Sequence, residues 1–211
     1  MSAPTEFVDR LRRNGIRDER VLAALGRVPR ELFVPEELRD HAYDDSALPI
    51  GHGATISQPT LVARMCEELA LRGHERVLDV GSGSGYAAAV LAELAAEVVG
   101  IERVPELADR ARAALAAAGY DGVEILVGDG SLGVPERAPF DAIVVGAAAP
   151  APPPALYAQL AGGGRLVVPV GGRRQNLAVV TRGPGGPVIR RSVPVRFVPL
   201  VGEEGFEEPG R

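Results

Sequence analysis

From residue 76 onward, short β-rich runs alternate with Ala- and Leu-rich helical runs, and this alternation is what most restricts the fold. Parallel strands must be joined by crossovers, so strand-helix-strand repetition predicts an α/β sheet with helices on its faces. Strands are expected at Arg76 to Val80, Glu97 to Ile101, Val123 to Val127, Ala142 to Val145 and Arg165 to Val170. Helices are expected at Ser84 to Ala95, Pro105 to Ala118 and Pro154 to Ala161, the second with Pro at its start and Gly119 just past its end. After Gly171 two β-rich runs, Asn176 to Thr181 and Val188 to Phe197, follow without a helix between them and predict antiparallel strands that close the sheet. The expected fold class is therefore α/β, with seven strands.

The first 75 residues place Phe7, Val8 and Leu11, then Val21, Leu22 and Leu25, at helical spacing, which predicts a helical cap packed on the sheet. Between cap and core lies Leu48 to Pro59, L-P-I-G-H-G-A-T-I-S-Q-P, a polar loop in which Gly51 and Gly53 permit backbone geometry that a simple connector rarely needs. Ser57 is also a good N-cap for a helix that starts near Pro59. With 211 residues, 46% of them hydrophobic, one core is expected: a single domain made of a cap and loop (1–75), an α/β core (76–171) and antiparallel strands with a tail (172–211).

Every one of the 23 basic residues is arginine, which removes Schiff-base chemistry, a lysine base and a phosphate-loop lysine together. A net charge of −5 without a basic tract gives no footprint for nucleic acid, and Arg173, Arg174, Arg190 and Arg191 read as a solvated face. One cysteine, Cys66, allows neither an intramolecular disulfide nor a Cys-based zinc cluster; it reads as a packing residue, and no metal is expected. No apolar run approaches the roughly 18 to 20 residues of a membrane span, so none is expected; the single cysteine fits a reducing cytoplasm, and a monomer is expected.

The segment V-L-D-V-G-S-G-S-G-Y carries the clearest chemistry. A strand ends at Val80, and Gly81, Gly83 and Gly85, with Ser82, form a turn into a helix whose backbone a ligand can approach. The dinucleotide fingerprint is broken by Tyr86, which leaves a G-x-G-x-G loop suited to a ligand with an amino-acid end and no pyrophosphate. Asp79 can attract an α-ammonium group. Glu102, about 20 residues beyond the loop, stands where an acid accepts from ribose hydroxyls. Asp129 and Gly130 follow the third strand, where the acid can accept from an adenine amino group. Three acids at successive strand ends imply S-adenosylmethionine as the cofactor.

On these residues the chain resembles the protein-L-isoaspartate O-methyltransferase family. The matching segments are R-V-P-R-E-L-F-V-P (Arg27 to Pro35), A-Y-D-D-S-A-L-P-I-G-H-G-A-T-I-S-Q-P (Ala42 to Pro59), the glycine loop with Tyr86, V-G-D-G (Val127 to Gly130), F-D-A-I-V-V (Phe140 to Val145), G-G-R-L-V-V-P-V-G (Gly163 to Gly171) and V-R-F-V-P-L (Val195 to Leu200). The resemblance implies a seven-stranded class I S-adenosylmethionine-dependent methyltransferase sheet with a Rossmann-like order. It implies methyl esterification of isoaspartyl residues in damaged proteins, release of S-adenosyl-L-homocysteine, and repair through a succinimide. It marks Ser57 as the catalytic residue, a hydrogen-bond donor that steers the substrate carboxylate. Thr55 and Ile56 would line the cleft beside the cofactor; Gln58, Pro59, Val195, Arg196 and Phe197 would meet the substrate. His52 reads as a loop-ordering residue, His41 and His74 as surface residues. Asp44 and Asp45 match the family, although as a bare pair they would face solvent. The tail from Gly202 to Arg211 does not align. Two alternatives share the cofactor loop: a methyltransferase for a small molecule or RNA, and a non-catalytic cofactor-binding interaction protein.

Overall fold

The structure is a computed structural model, and it describes residues 3–208. The N-terminal cap is formed by α1 (Ala3–Arg13), α2 (Glu19–Arg27), two 3₁₀ segments and α3 (Pro59–Leu69). Between the last 3₁₀ segment and α3 lies an antiparallel hairpin, β1 (Leu48–Gly51) and β2 (Ala54–Ile56), where the sequence predicts only a loop. His52 (φ 52°) and Gly53 (φ 72°) form its tip, both in the left-handed region that two-residue hairpin turns require.

The core comprises β3 (Arg76–Val80), α4 (Tyr86–Ala92), β4 (Glu97–Glu102), α5 (Pro105–Ala117), β5 (Glu124–Val127), β6 (Phe140–Val145), α6 (Pro154–Ala158), β7 (Leu160–Val170), β8 (Gln175–Gly183) and β9 (Gly186–Val195). The seven-stranded sheet runs β5-β4-β3-β6-β7-β8-β9, as the sequence predicts in number and direction. β3 to β7 are parallel; β8 and β9 are antiparallel additions. The order reverses at β3, which pairs with both β4 and β6, and the crevice beyond its carboxyl end is where open α/β sheets hold ligands.

Alternating residues feed two cores. Val77 and Val98 face the cap, α4 and α5, packing with Phe7, Leu11, Leu22 and Leu115; Leu78, Val80, Val99 and Ile101 face the other side with Phe140, Leu156 and Leu200. The expected helix from Ser84 begins later, at Tyr86, because the glycine turn continues through Gly85 (φ 85°), and it ends at Ala92. α6 is shorter than expected because Leu160 already belongs to β7, whose pairing with β6 skips from Leu160 to Arg165 across a bulge rich in glycine. β9 ends at Val195, two residues early, because the Gln175 side chain takes over the pairing of Phe197: its Oε1 accepts from the Phe197 N–H (2.7 Å) and its Nε2 donates to the Phe197 carbonyl (3.1 Å). No helix among the described residues is long and apolar enough to cross a membrane.

Candidate active site

The glycine turn is fixed from two sides. Gly81 donates to the Ile101 carbonyl (2.8 Å), and Gly83 donates to Glu102 Oε2 (2.9 Å), while Glu102 Oε1 accepts from the Val104 N–H (3.0 Å). Glu102 is nearly buried and so ties the turn to the end of β4. Ser82 donates from its hydroxyl to the Asp79 carbonyl (3.1 Å). A side chain at Gly100 would strike Ser82 Oγ at 2.4 Å, so this bare strand position lets the turn rest on the sheet. Gly85 faces α5 rather than a cavity: a Cβ there would lie 3.2 Å from that of Ala111, which makes it a packing glycine.

Two connected recesses flank this turn. The inner one, about 50 Å³, is lined by Thr55, Ile56, Ser57, Asp79, Tyr86 and Phe197 among others, with Gly81, Ser82 and Gly83 as its floor. The outer cleft, about 280 Å³, runs from Thr55 and Gly83 past Glu102 and Gly130 to Val198–Val201, with His52 and Gly53 of the hairpin at its edge. Thr55, Gly81, Gly83 and Gly146 border both.

Asp79 is the unusual group. It is buried, its Oδ2 has no hydrogen-bond partner, and burial raises its carboxyl pKa from 3.8 to about 7; the Ser82 hydroxyl opposes that rise and the negative charge of Glu102 adds to it. A buried carboxylate oxygen without a partner, lining a recess over a bare backbone turn, suits a cationic group such as an α-ammonium.

Ser57 also lines the inner recess. The structure does not use it as the N-cap of α3. Gln58 occupies that position, and Asp45 caps the helix from outside: its Oδ1 accepts from the Thr60 N–H (2.9 Å) and its Oδ2 from the Thr60 hydroxyl (2.8 Å) and the Asn14 amide (3.0 Å). Asp45 is thus a structural cap and does not line the recess, whereas Asp44 meets His41 at 2.9 Å. No protein group among the described residues accepts from or donates to the Ser57 hydroxyl, but its carbonyl is held by Arg30 Nη2 (2.8 Å). Arg30 is fully buried, donates from Nε to the Ala42 carbonyl (2.7 Å) and lies 4.5 Å over the Tyr86 ring. Its Nη1 and the Tyr86 hydroxyl have no partner, and burial lowers the guanidinium pKa from its ordinary value. Neither the Arg30 anchor nor the Asp45 cap is recognised from the sequence, where Arg30 is one of three charged residues in R-V-P-R-E-L-F and carries no local signal of its burial.

The remaining expected residues divide. Phe197 lines the inner recess; Val195, Arg196, Gln58 and Pro59 line neither recess, the last two forming the start of α3. Gly130 borders the outer cleft, and Asp129 lies beside it against the tail. The tail that does not align proves to close on this acid: Asp129 Oδ2 accepts from the Glu203 N–H (2.8 Å), Oδ1 from the Ser131 N–H (2.9 Å), and Ser131 Oγ from the Glu204 N–H (3.0 Å). Cys66 packs as expected, yet it also lines the inner recess, and burial pushes its thiol up to about 12. The four-arginine patch does not form as a unit: Arg190 pairs with Glu68, far along β9 from Arg173 and Arg174. No group of three or more His, Cys, Asp or Glu placed to hold a metal occurs among the described residues.

Comparisons with known proteins place the chain in a family. The family profile "Protein-L-isoaspartate(D-aspartate) O-methyltransferase (PCMT)" matches residues 2–205. Protein-L-isoaspartate O-methyltransferase 2 of Marinobacter nauticus is 59% identical over 91% of this chain and 89% of its own length. Protein-L-isoaspartate O-methyltransferase 1 of Rhodopseudomonas palustris is 58% identical over 91% of this chain and 80% of its own. Among solved structures, a protein-L-isoaspartate O-methyltransferase of Plasmodium falciparum, described as putative and bound to S-adenosyl-L-homocysteine, superposes with a TM-score of 0.84 at 29% identity, covering 95% of this chain and 99% of that one. With the profile spanning nearly the whole sequence and relatives this similar over most of their length, the chain belongs to the protein-L-isoaspartate(D-aspartate) O-methyltransferase family.

Proposed function

We infer that this protein uses S-adenosyl-L-methionine to methyl-esterify the α-carboxylate of L-isoaspartyl residues in damaged proteins and peptides, so starting their repair through a succinimide, and releases S-adenosyl-L-homocysteine. The observation that carries the reading is one recess lined both by Asp79, whose Oδ2 has no partner, and by Ser57. In this assignment Asp79 receives the cofactor's α-ammonium group, with Gly81, Ser82 and Gly83 beside its amino-acid end. Glu102 accepts from the ribose, and Asp129 and Gly130 meet the adenine. Thr55 and Ile56 separate cofactor from substrate. When bound, the cofactor supplies an electrophilic methyl group on a sulfonium.

The chain's own task is then orientation. An isoaspartyl carboxyl has an ordinary pKa of about 4 and is ionised at neutral pH, so no general base is needed. None of the described histidines lines the inner recess. Ser57, released from capping duty by Asp45, donates to one carboxylate oxygen and aims the other, while Phe197, with Val195 and Arg196 before it, meets the substrate backbone. Gln58 and Pro59 fix where α3 begins and hence where Ser57 points. Holding the reacting groups in line contributes roughly 7 to 11 kcal/mol. The reading extends to one methyltransferase domain acting as a monomer in a reducing cytoplasm, supported by the single, buried cysteine, and to protein rather than nucleic-acid or membrane partners.

A labelled-methyl assay on an isoaspartyl peptide and its aspartyl isomer tests this. Base-labile label on the first and little on the second is expected. Equal labelling of both, or alkali-stable label, would refute the assignment; cofactor binding without any incorporation would favour the non-catalytic reading.

A further inference from the structure

Charge is distributed unevenly along the carboxyl rim of the sheet. At the β5 end the tail brings Glu207 and Glu208 beside Asp129 and Arg103, Glu208 pairs with Arg103 at 2.7 Å, and the preceding Glu204 accepts from the Ala155 N–H of α6 (2.8 Å). At the other end, the turn from β7 to β8 carries Arg173 and Arg174, both exposed. Gln175 and Val195 form the last antiparallel pair of the ladder, so Arg174 and the exposed Arg196 each directly adjoin that pair along the chain, Arg196 one residue before Phe197 of the inner recess. Three arginines thus gather at the substrate end of the rim, and none of them forms an ion pair among the described residues.

This corner is braced. Gly171 (φ 128°) makes the turn so tight that a Cβ there would lie 2.1 Å from the Arg174 carbonyl oxygen, and its N–H donates to Ala149 (2.9 Å) next to the strand that borders the cleft. The Gln175 amide donates to the carbonyls of Gly172 (3.3 Å) and Phe197 (3.1 Å), which joins the arginine turn to a recess-lining residue. In a chain of net charge −5, a cluster of unpaired guanidinium groups on a fixed turn beside the substrate opening is a local reversal of sign.

We propose that Arg173, Arg174 and Arg196 form a docking rim for acidic side chains flanking the isoaspartyl residue, so that this enzyme favours damaged segments carrying Asp or Glu within about three residues of the lesion. The proposal rests on the functional reading above and narrows its substrate class. Three residues of extended peptide reach about 10 Å, comparable with the Debye length of about 8 Å at physiological salt. The acidic tail at the opposite end of the rim disfavours the reversed placement of the same peptide. Guanidinium forks bind carboxylates in paired hydrogen bonds, and an anionic flank is drawn in before the lesion is seated.

Three isoaspartyl peptides of equal length, with Glu, Gln or Arg flanks, test the rim by methylation kinetics and by fluorescence anisotropy of peptide binding at low and high salt. The Glu peptide is expected to have a KM and Kd about three- to tenfold below those of the Gln peptide at low salt, with kcat unchanged. That advantage should vanish at high salt and in the double variant Arg173→Gln/Arg174→Gln, which should handle the Gln peptide as the unaltered enzyme does. Equal constants for all three peptides, or a Glu preference that survives in the double variant, would overturn the proposal. So would displacement of the Glu peptide by an oligonucleotide of equal charge, which would reassign the rim to nucleic acid. If no isoaspartyl peptide is methylated, the functional reading fails, and anisotropy still decides whether the rim selects acidic flanks.

Discussion

Replacing Asp79 by Asn alters the site at its buried, unpartnered carboxyl. Burial holds this carboxyl at about 7 against an ordinary 3.8, a penalty on its ionised form of about 4 kcal/mol at 1.36 kcal/mol per pKa unit. Because the folded-state pKa lies above the unfolded one, the folded protein binds the proton more tightly. The group therefore makes no pH-dependent contribution below about pH 4, and stability declines as pH rises through about 4 to 7, with the full penalty present above that. Asn removes the titration but still buries an amide, at about 1 to 3 kcal/mol if unpaired. Urea unfolding of the cofactor-free proteins across that range should show Asp79→Asn less stable near pH 4.5 and equal to or more stable than the unaltered protein near pH 8. Calorimetric titration with S-adenosyl-L-homocysteine should show affinity rising with pH as Asp79 ionises, and at least about tenfold weaker binding by the variant, without that rise. Parallel stability curves would mean that Asp79 is not held protonated, and undiminished affinity in the variant would remove it from the ammonium site.

Three further substitutions probe the surroundings. Glu102→Ala deletes the acceptor for the Gly83 and Val104 N–H groups and should weaken cofactor binding by roughly 1.5 to 3 kcal/mol; unchanged affinity by calorimetry would exclude Glu102 from the cofactor site. Ser57→Ala should slow turnover while leaving cofactor affinity intact, and the reverse pattern in steady-state and binding measurements would make Ser57 a cofactor residue. Asp45→Ala uncaps α3 and should cost about 1 kcal/mol, seen as a Tm lower by about 2 to 4 °C together with a raised KM; an unchanged Tm would show the cap to be dispensable.

The sheet was legible because each strand announces itself twice, by its β-rich run and by the glycine, proline or acid that ends it; Val80 before Gly81 and Glu102 before Arg103 are examples. Local signals therefore place Asp79, Glu102 and Asp129 at strand ends without knowledge of the tertiary fold. What escaped the sequence depends on contacts between distant residues. Ser57 reads as a helix cap because Ser suits that position, but Asp45, a dozen residues earlier, reaches Thr60 instead. The tail's closure on Asp129 and Ser131 relies on the backbone N–H groups of Glu203 and Glu204 respectively, which carry no side-chain signature. The end of β9 was misplaced because a side-chain amide, Gln175, imitates a strand partner.

These long-range contacts share a physical purpose. A reaction whose nucleophile is already ionised gains little from acid-base groups and much from rigidity. The Ser57 loop is accordingly held where it runs into α3: Arg30 grips the Ser57 carbonyl from the buried side, and Asp45 fixes the first turn of the helix that follows. Arg30 meets no carboxylate in this role; its charge is accommodated by two carbonyls and the Tyr86 ring. A carboxylate at that position would have competed for the guanidinium and could have drawn it from the Ser57 carbonyl, whereas neutral acceptors define one direction for each N–H. Tyr86 belongs to the same residue run as the glycine turn, so the contact also couples the loop that orients the substrate to the turn that would hold the methyl donor. Substrate carboxylate and methyl donor are thus referred to one rigid frame.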